Sequence, residues 1–398
     1  MTHVFLNGLG ASAGAGLTYL YNVIPHLSSG ANVQTTLVVR RQLLSEFSAR
    51  PNLTCMTLAG GLGAARRFWF EQRKLPAIIR ESGADVVISA GNFALRRCPV
   101  PQILLSGNSL YISADFYRDL RNRREWGIWL DTRVRGILAQ KSVHWADCTV
   151  APSRAFATEL QKWTNRQVVA LHHGFDRETF FRDDSPLPRD VQEKMHTTKN
   201  AVRLLFVSHY NYYRNFETLL RAIPMLRDKL KRPIRVFLTC KLQEGKNPGA
   251  YKPNVAAKLM EQLQIRDEVV ELGAIPYSLL NQVYAACDVY VTPAYTETFA
   301  HPLVEAMASG LPIVASDLPV HREVCEEAAL YFPCFSAEAL ADAVAQVTSS
   351  AHLAQELSAN GRRRSTQFSW IRHVQQLLEL ASTMSSNMMR RAVLPPDW

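Results

Sequence analysis

The sequence predicts an α/β protein made of two doubly wound domains, each with a parallel sheet. Its 398 residues are more than one hydrophobic core usually holds, so two domains are expected. In both halves, short apolar runs typical of buried parallel strands alternate with helical stretches. A polar segment that contains Pro186 and Pro188 separates the two series. We therefore expect domains at residues 1–180 and 201–369, joined by a linker at residues 181–200.

The apolar runs place the individual strands. In the first half, strands are expected at residues 4–6, 85–89, 102–106 and 148–152, and a small-residue loop at 8–16 leads into a helix at 17–27. In the second half, strands are expected at residues 202–207, 235–239, 269–272, 288–292 and 311–316, with helices between them. A last helix is expected at residues 370–385. Strands that alternate with helices in this way are typical of doubly wound sheets.

Composition limits the class of protein. Hydrophobic residues make up 47% and charged residues 20% of the chain, as in ordinary globular proteins. No apolar run reaches about 18 residues, so no membrane-spanning helix is expected. The N-terminus lacks the basic start of a signal peptide and is expected to form the first strand. The seven cysteines form no C-x-x-C pair, which predicts neither disulfides nor a zinc site and favours a cytoplasmic protein with reduced thiols.

The net charge of +10 predicts an anionic partner, such as nucleic acid, a membrane face or a diphosphate substrate. No nucleic-acid-binding motif accompanies the basic residues, so nucleic acid is not expected. Residues 118–141 contain seven basic and three acidic side chains. The apolar residues Trp126, Leu130, Val134, Ile137 and Leu138 recur there at helical spacing. This pattern fits either a core-facing helix with a solvated arginine face or a cationic surface for an anionic membrane.

The most informative stretch is residues 297–310, in which two glutamates stand eight positions apart. It lies between two predicted strands, so its order is strand, loop, helix, strand. Pro302 suits the first helical position, and Gly310 suits the residue after the helix end. Glu297 is then expected in the loop and Glu305 in the first helical turn. A helix N-terminus favours a phosphate, and nearby carboxylates accept hydrogen bonds from sugar or ribose hydroxyls.

This stretch resembles the glutamate-seven-residue-glutamate motif of the retaining GT-B glycosyltransferases of family 4. The resemblance implies two facing Rossmann-like domains, with the last helix packed back on the first. It implies that Glu297 contacts hydroxyls of the donor sugar and that Glu305 contacts the ribose of the nucleotide. Further donor contacts are implied for Thr298, Phe299, Ala300, His301, Leu303 and Val304. The family usually has glycines where this sequence has Thr298 and Ala300.

Other segments extend the resemblance over nearly the whole chain. Gly273 and Pro276 lie in a segment similar to the turn that brackets the nucleotide base. The family binds the diphosphate with an arginine and a lysine five positions apart, and here His209 and Arg214 keep that spacing. A guanidinium is a suitable partner for phosphate oxygens. His209, with an ordinary pKa near 6.5, is either a second diphosphate contact or an aromatic loop residue among tyrosines.

In the first domain, the resemblance implies that Gly14 and Gly16 let the first helix approach the donor phosphates. The glycines do not follow the G-x-G-x-x-G pattern, and no acidic residue ends the second strand, which argues against an NAD enzyme. Many family members carry a histidine after the strand equivalent to residues 102–106. Gly107 or Asn108 stands in its place, and we expect Asn108 to orient the sugar by hydrogen bonds.

We therefore expect a retaining glycosyltransferase that moves a sugar from a nucleoside-diphosphate sugar to an acceptor hydroxyl. The acceptor is expected to be a glycan or a lipid-linked molecule in glycan, polysaccharide or glycolipid synthesis. No cofactor or metal ion is expected, because no Asp-x-Asp motif stands near the site. The protein is expected in the cytoplasm or at the inner membrane face. The alternatives are another GT-B enzyme, such as an epimerase or phosphorylase, and a non-catalytic nucleotide-sugar-binding protein.

Overall fold

The computed structural model describes residues 2–11, 15–28, 32–47, 50–58, 63–196, 200–247 and 251–393. The chain forms two compact units. The first comprises Met1–Ile112, Leu130–Gly174 and Ser369–Trp398, and the second comprises Ser113–Trp129 and Phe175–Phe368. The second unit thus contains a segment from the first half of the sequence and the polar stretch that suggested a linker. The domain boundaries expected from the sequence stay a prediction.

The first unit is built on a seven-stranded parallel sheet. Its strands are β1 (Thr2–Asn7), β2 (Val33–Arg40), β3 (Leu53–Leu58), β4 (Val86–Ala90), β5 (Gln102–Leu105), β6 (Cys148–Ala151) and β7 (Val169–Ala170). Their order is β3-β2-β1-β4-β5-β6-β7, so the winding direction switches between β1 and β4. The loops that follow these two strands touch at Gly10 and Gly91. A Cβ on Gly10 would lie 3.1 Å from the carbonyl oxygen of Ala90, which leaves little room for a side chain.

The helices of the first half are α1 (Ala15–Ser28), α2 (Leu44–Phe47), α3 (Ala64–Arg73), α4 (Leu75–Ser82), α5 (Ala114–Asn122), α6 (Trp126–Trp145) and α7 (Arg154–Thr164). The buried residues of helix α6 are all of small or medium size, namely Thr132, Gly136, Ala139, Ser142 and Val143. Its large apolar residues Trp126, Leu130, Val134 and Ile137 are exposed instead. Of the two interpretations left open by the sequence, a core-facing apolar stripe is therefore wrong for these four residues.

The second unit is built on a six-stranded parallel sheet. Its strands are β8 (Val202–Phe206), β9 (Ile234–Leu238), β10 (Val269–Glu271), β11 (Val289–Thr292), β12 (Ile313–Ser316) and β13 (Ala329–Phe332). Its helices are α8 (Arg177–Phe181), α9 (Arg189–Met195), α10 (Phe216–Leu230), α11 (Asn254–Gln262), α12 (Leu280–Ala285), α13 (His301–Ser309), α14 (Pro319–Cys325), α15 (Ala337–Ser349) and α16 (Ala351–Ser365). The strand order is β10-β9-β8-β11-β12-β13, with the switch between β8 and β11. The predicted fold class of two Rossmann-like α/β domains is confirmed.

The last helix, α17 (Trp370–Val393), completes the core of the first unit. Its buried residues Trp370, Val374, Leu377 and Ala381 belong to the same cluster as the side chains of β1 and α1. A Cβ on Gly174 would lie 2.0 Å from the backbone nitrogen of Trp370. Only glycine fits where the chain passes the start of this helix.

Candidate functional site

The glutamate-containing stretch has the local structure that its proline and glycine predict. Glu297 lies in the loop after β11, Pro302 is the second residue of α13, and Gly310 ends the helix in the left-handed region, with φ +72°. Ala300, at the N-cap, also has a positive φ, of +63°. A residue with a Cβ is disfavoured there by roughly 1 kcal/mol, which explains why glycine suits this position. Glu305 is the fifth helical residue, so its expected place in the first turn is wrong by one residue.

Arg214 is brought to this loop by the strand order of the sheet. It ends a short 3₁₀ turn, Tyr212–Arg214, in the loop after β8, and β8 is the neighbour of β11. The next residue, Asn215, donates a side-chain hydrogen bond of 3.0 Å to the carbonyl oxygen of Pro293. The backbone N–H of Tyr295 donates to the carbonyl oxygen of Tyr213 at 3.1 Å. These bonds fix the two loops against each other at the carboxyl ends of their strands.

Arg214 and Glu297 form an ion pair at this switch point. The guanidinium Nη1 lies 2.6 Å from the carboxylate Oε2, and the side chains are only 18% and 11% exposed. Burial, the largest single effect, disfavours the charged form of Arg214, but Glu297 together with Tyr213 and Tyr290 raises the pKa of the guanidinium above its ordinary value. Arg214 Nε is buried and has no hydrogen-bond partner among the described residues. The arginine therefore stays charged and keeps a donor for a further acceptor.

Glu305 is a buried carboxyl group with one hydroxyl partner. The residue is 5% exposed, and the hydroxyl of Tyr284 donates a hydrogen bond of 2.8 Å to its Oε2. Burial raises the pKa of Glu305 to about 7, although the bond from Tyr284 opposes this shift. The group therefore titrates at neutral pH. A ligand hydroxyl that donates to the carboxylate would favour its ionised form.

His209 lies in the same loop as Arg214 and is exposed. Partial burial of the ring, and secondarily the charge of Arg214, lower its pKa below the ordinary value. The imidazole is therefore neutral at neutral pH when no anion is bound. A diphosphate beside it would oppose both effects and favour the protonated ring.

His321, on α14, is a site neighbour that the sequence analysis missed. Its Nδ1 lies 2.8 Å from the carbonyl oxygen of Ser316, at the end of β12, and the ring is fully buried. The pKa of this histidine is lowered to about 4, mainly by burial and to a smaller extent by the charge of Arg214, while the hydrogen bond to Ser316 opposes the shift. Since Nδ1 donates to a carbonyl, Nε2 is the unprotonated nitrogen. No local sequence pattern marks this residue, because its electrostatic interaction with Arg214 depends on the strand order.

The remaining donor-binding candidates fall into two groups. Thr298 and His301 are partly accessible, and Pro276 is exposed at the start of the 3₁₀ turn Tyr277–Leu279. Phe299, Ala300, Leu303, Val304 and Gly273 are buried, and Leu303 and Val304 have no exposed surface. Gly273 has φ +85°, a conformation that favours glycine. The predicted roles of these residues stay predictions.

The first-unit candidates lie on the loops after β1 and β5. Gly16 is the second residue of α1, whereas Gly14 lies outside the described residues. Asn108 caps the 3₁₀ turn Ser109–Tyr111, because its Oδ1 accepts a hydrogen bond of 3.1 Å from the backbone N–H of Leu110. The cap restrains the asparagine side chain. Its predicted contact with a sugar is not tested by this arrangement.

A further network that the sequence analysis missed holds the loop of Arg214 in place. Arg123 contacts Asp119 at 2.7 Å and Glu217 at 3.0 Å, and its guanidinium stacks over the ring of Tyr212 at 4.3 Å. The hydroxyl of Tyr295 donates a bond of 2.9 Å to Asp119. Arg123 was grouped by sequence with the basic surface of residues 118–141, but it is an internal ion-pair residue of the second unit. Its partner Glu217 lies 94 positions away, so no sequence signal links them.

The described part of the chain contains neither a candidate metal-ion site nor a candidate membrane-spanning helix. Within it, no three His, Cys, Asp or Glu side chains come together as a candidate metal-ion site. In the same residues, no helix has the length and apolar composition needed to cross a membrane.

Comparison with known proteins gives one family match. The model of the Glycosyl transferases group 1 family matches residues 189–364, which lie within the second unit. A D-inositol 3-phosphate glycosyltransferase from Geodermatophilus obscurus is 27% identical over 285 residues. That alignment covers 67% of this chain but only 61% of the relative's length.

Solved structures show the same fold at low sequence identity. Sucrose-phosphate synthase from Thermosynechococcus elongatus has a TM-score of 0.77 and 19% identity, over 97% of this chain and 100% of that one. Anabaena HepE in complex with UDP-glucose has a TM-score of 0.69 and 16% identity, over 96% of this chain and 100% of that one. These similarities establish the fold alone.

Proposed function

Because residues 189–364 match the glycosyl transferases group 1 family, we propose that this protein is a retaining GT-B glycosyltransferase of family 4. It would move a sugar from a nucleoside-diphosphate sugar to an acceptor hydroxyl. The ion pair of Arg214 and Glu297 at the switch point of the second sheet carries the proposal. Open parallel sheets bind ligands at this point. The family match and the named glycosyltransferase relative support an enzyme of this class.

In the proposed complex, Arg214 binds the donor diphosphate and Glu297 accepts hydrogen bonds from hydroxyls of the donor sugar. Without a ligand, the two charges neutralise each other across 2.6 Å. A guanidinium has five N–H donors, so Arg214 can keep a bond to Glu297 while it binds phosphate oxygens. Its Nε is buried and has no hydrogen-bond partner among the described residues. Glu297 would thereby hold both the arginine and the sugar in a defined orientation.

Glu305 would bind the ribose, and His209 would provide a second contact to the diphosphate. A ribose hydroxyl can donate to the carboxylate oxygen that Tyr284 leaves free, because each carboxylate oxygen accepts more than one bond. The backbone around Thr298 and Ala300, just before α13, would approach the donor. Asn108 and Gly16 of the first unit, together with Gly14, are proposed to contact the sugar and phosphates.

The proposed reaction keeps the configuration at the anomeric carbon. The bond between that carbon and the diphosphate oxygen breaks, and the acceptor oxygen forms a new bond on the same face. The acceptor proton passes to the leaving phosphate oxygen, so no protein base is required. Negative charge develops on the diphosphate as the bond breaks, and Arg214 lies where it can stabilise that charge. We therefore include no metal ion in the proposal.

The donor and acceptor are proposed by chemical class. The neighbour HepE binds UDP-glucose, which makes UDP-glucose the first donor to test. The acceptor would be a glycan or a lipid-linked glycan in glycan, polysaccharide or glycolipid synthesis. The seven cysteines are all free thiols, which fits a reducing compartment, and we propose a cytoplasmic site of action.

The test begins with thermal unfolding in the presence of UDP, GDP, ADP and TDP sugars. A specific donor stabilises the folded protein by mass action and is thereby identified. Transfer from that donor is then measured, and the anomeric configuration of the product is read from its NMR coupling constant. Arg214→Ala is expected to lower kcat by at least about 100-fold. Arg221→Ala, an exposed arginine on α10, serves as the matched control and is expected to keep normal activity.

The following results would contradict parts of this proposal. Near-normal turnover by Arg214→Ala would place the diphosphate elsewhere, and an inverted product would exclude the retaining mechanism. Donor binding without transfer or donor hydrolysis would favour a non-catalytic nucleotide-sugar-binding protein. Conversion of the donor sugar, or release of a sugar phosphate, would instead indicate an epimerase or a phosphorylase.

A further inference from the structure

The outer face of α6 carries large apolar side chains in contact with solvent. Leu130, Val134 and Ile137 are 58%, 49% and 46% exposed. They are spaced by four and three positions, so they lie on one side of the helix. The buried side of the helix carries residues of small or medium size instead. A helix on the surface of a globular protein normally shows the reverse arrangement, so this face indicates contact with something outside the described chain.

The same face is positively charged. Arg133 lies four positions before Ile137 and Lys141 four positions after it, so both share the side of the apolar stripe. Both are exposed. The acidic residue beside them, Asp131, is paired with Arg135 at 2.9 Å. Within the described part of the chain, neither Arg133 nor Lys141 has an ion-pair partner, so positive charge accompanies the apolar side chains in a chain with a net charge of +10.

We propose that this surface, named the α6 face and comprising Leu130, Arg133, Val134, Ile137 and Lys141, docks the protein on an anionic lipid membrane. Apolar side chains at this spacing can enter the boundary between headgroups and acyl chains, while arginine and lysine contact lipid phosphates. Anionic headgroups also attract the cations over about one Debye length. A second copy of the chain is a poorer partner, because its α6 face would present the same positive charge.

The experiment measures co-sedimentation with phosphatidylcholine vesicles, with or without phosphatidylglycerol. Wild-type protein is expected to bind the vesicles with phosphatidylglycerol, and to bind less at high salt. The triple variant Leu130→Asn, Val134→Asn, Ile137→Asn is expected to partition at least about ten-fold more weakly. The matched control is Val255→Asn with Ile371→Asn, which changes large exposed apolar residues on other helices. That control is expected to bind like the wild type.

A second variant separates charge from apolar contact. Arg133→Gln with Lys141→Gln is expected to weaken binding to phosphatidylglycerol vesicles and to reduce its salt dependence. Because all these side chains are exposed, the variants are expected to keep the wild-type thermal midpoint. If the triple variant does not fold, the charge variant provides the test alone.

Several outcomes would overturn the inference. They are absence of wild-type binding, equal binding with and without phosphatidylglycerol, and variants of the α6 face that bind as well as the wild type. Sedimentation velocity without vesicles is the remaining check. A wild-type dimer that the triple variant abolishes would identify the α6 face as an interface between copies. No sugar donor is present in these assays, so failure here leaves the proposed glycosyl transfer unaffected.

Discussion

The pH dependence of donor binding follows from the burial of Glu305. With a pKa of about 7, the carboxyl group is ionised in roughly a tenth of molecules at pH 6 and roughly nine tenths at pH 8. If the ribose hydroxyl binds only the ionised form, the apparent affinity for nucleotide is proportional to the ionised fraction of Glu305. We therefore expect nucleotide affinity to rise about ten-fold from pH 6 to pH 8.

The substitution Glu305→Gln isolates this effect, because glutamine keeps an acceptor for the Tyr284 hydroxyl but cannot ionise. A hydrogen bond to a charged group contributes about 1.5–3 kcal/mol. At pH 8 the variant is therefore expected to bind nucleotide about ten- to one-hundred-fold more weakly than the wild type. The difference in nucleotide affinity between wild type and variant should be smaller at pH 6. The affinity of the variant should not rise between pH 6 and pH 8.

Glu305→Gln is expected to weaken nucleotide binding but to stabilise the folded protein without ligand. The folded-state pKa of Glu305 is raised from 4.5 to about 7, so folding favours the protonated group. This contribution is fully present below about pH 4.5 and is lost as the pH rises through 7. The difference between these two pKa values corresponds to about 3 kcal/mol of folding free energy. Without ligand, at pH 8, Glu305→Gln is therefore expected to have a higher free energy of unfolding than the wild type, by up to that amount.

Calorimetric titration at pH 6, 7 and 8 measures nucleotide affinity, with UDP or with the nucleotide that the thermal screen identifies. Urea unfolding at the same pH values measures the free energy of unfolding. Glu261→Gln, at an exposed position on α11, is the matched control for each. Equal nucleotide affinity of wild type and Glu305→Gln at pH 8 would refute the ribose assignment. A lower free energy of unfolding for the variant at pH 8 would refute the argument from burial.

Three further substitutions test the architecture by urea unfolding. Ala300→Gly removes the strain of a positive φ of +63° and should raise the free energy of unfolding by about 0.5 kcal/mol. A lower free energy of unfolding would show that the alanine side chain stabilises the fold by more than the strain costs. Arg123→Met leaves Asp119 and Glu217 without their cation and should cost about 3–5 kcal/mol, whereas a loss below 1 kcal/mol would contradict a tight network. Gly174→Ala places a Cβ 2.0 Å from the backbone of α17 and should cost more than about 2 kcal/mol, and unchanged unfolding would refute that close packing.

The strands of both sheets were predictable to a large extent because parallel strands are buried on both faces. Their apolar runs stand out from the flanking polar residues, as at residues 202–207 and 311–316. Strands β3, β7 and β13 were not predicted, and β2 was expected only as a second strand without bounds. Strand β7 has two residues, too few to give a pattern. The bounds of α13 were close to those expected, because proline and glycine act through the backbone at the helix ends.

Within the candidate site, the sequence by itself determined which chemical groups are present and on which loops they stand. Arg214 follows β8 and Glu297 follows β11, and both assignments come from local patterns. The pairing of the two side chains depends on β8 and β11 being neighbours in the sheet. That adjacency is a property of strand order, because 83 residues separate the partners along the chain.

Tertiary structure alone decided the environment of each group. The periodicity of α6 shows that its apolar residues share one side, but not that this side faces solvent, because spacing is independent of what packs against a helix. The pKa of Glu305 depends on how far the folded chain removes it from water, which neighbours in sequence do not determine. The ion pairs of Arg123 likewise required residues distant in sequence to meet. The sequence thus specifies the chemistry available, and packing decides which groups are paired, buried or left exposed for a partner.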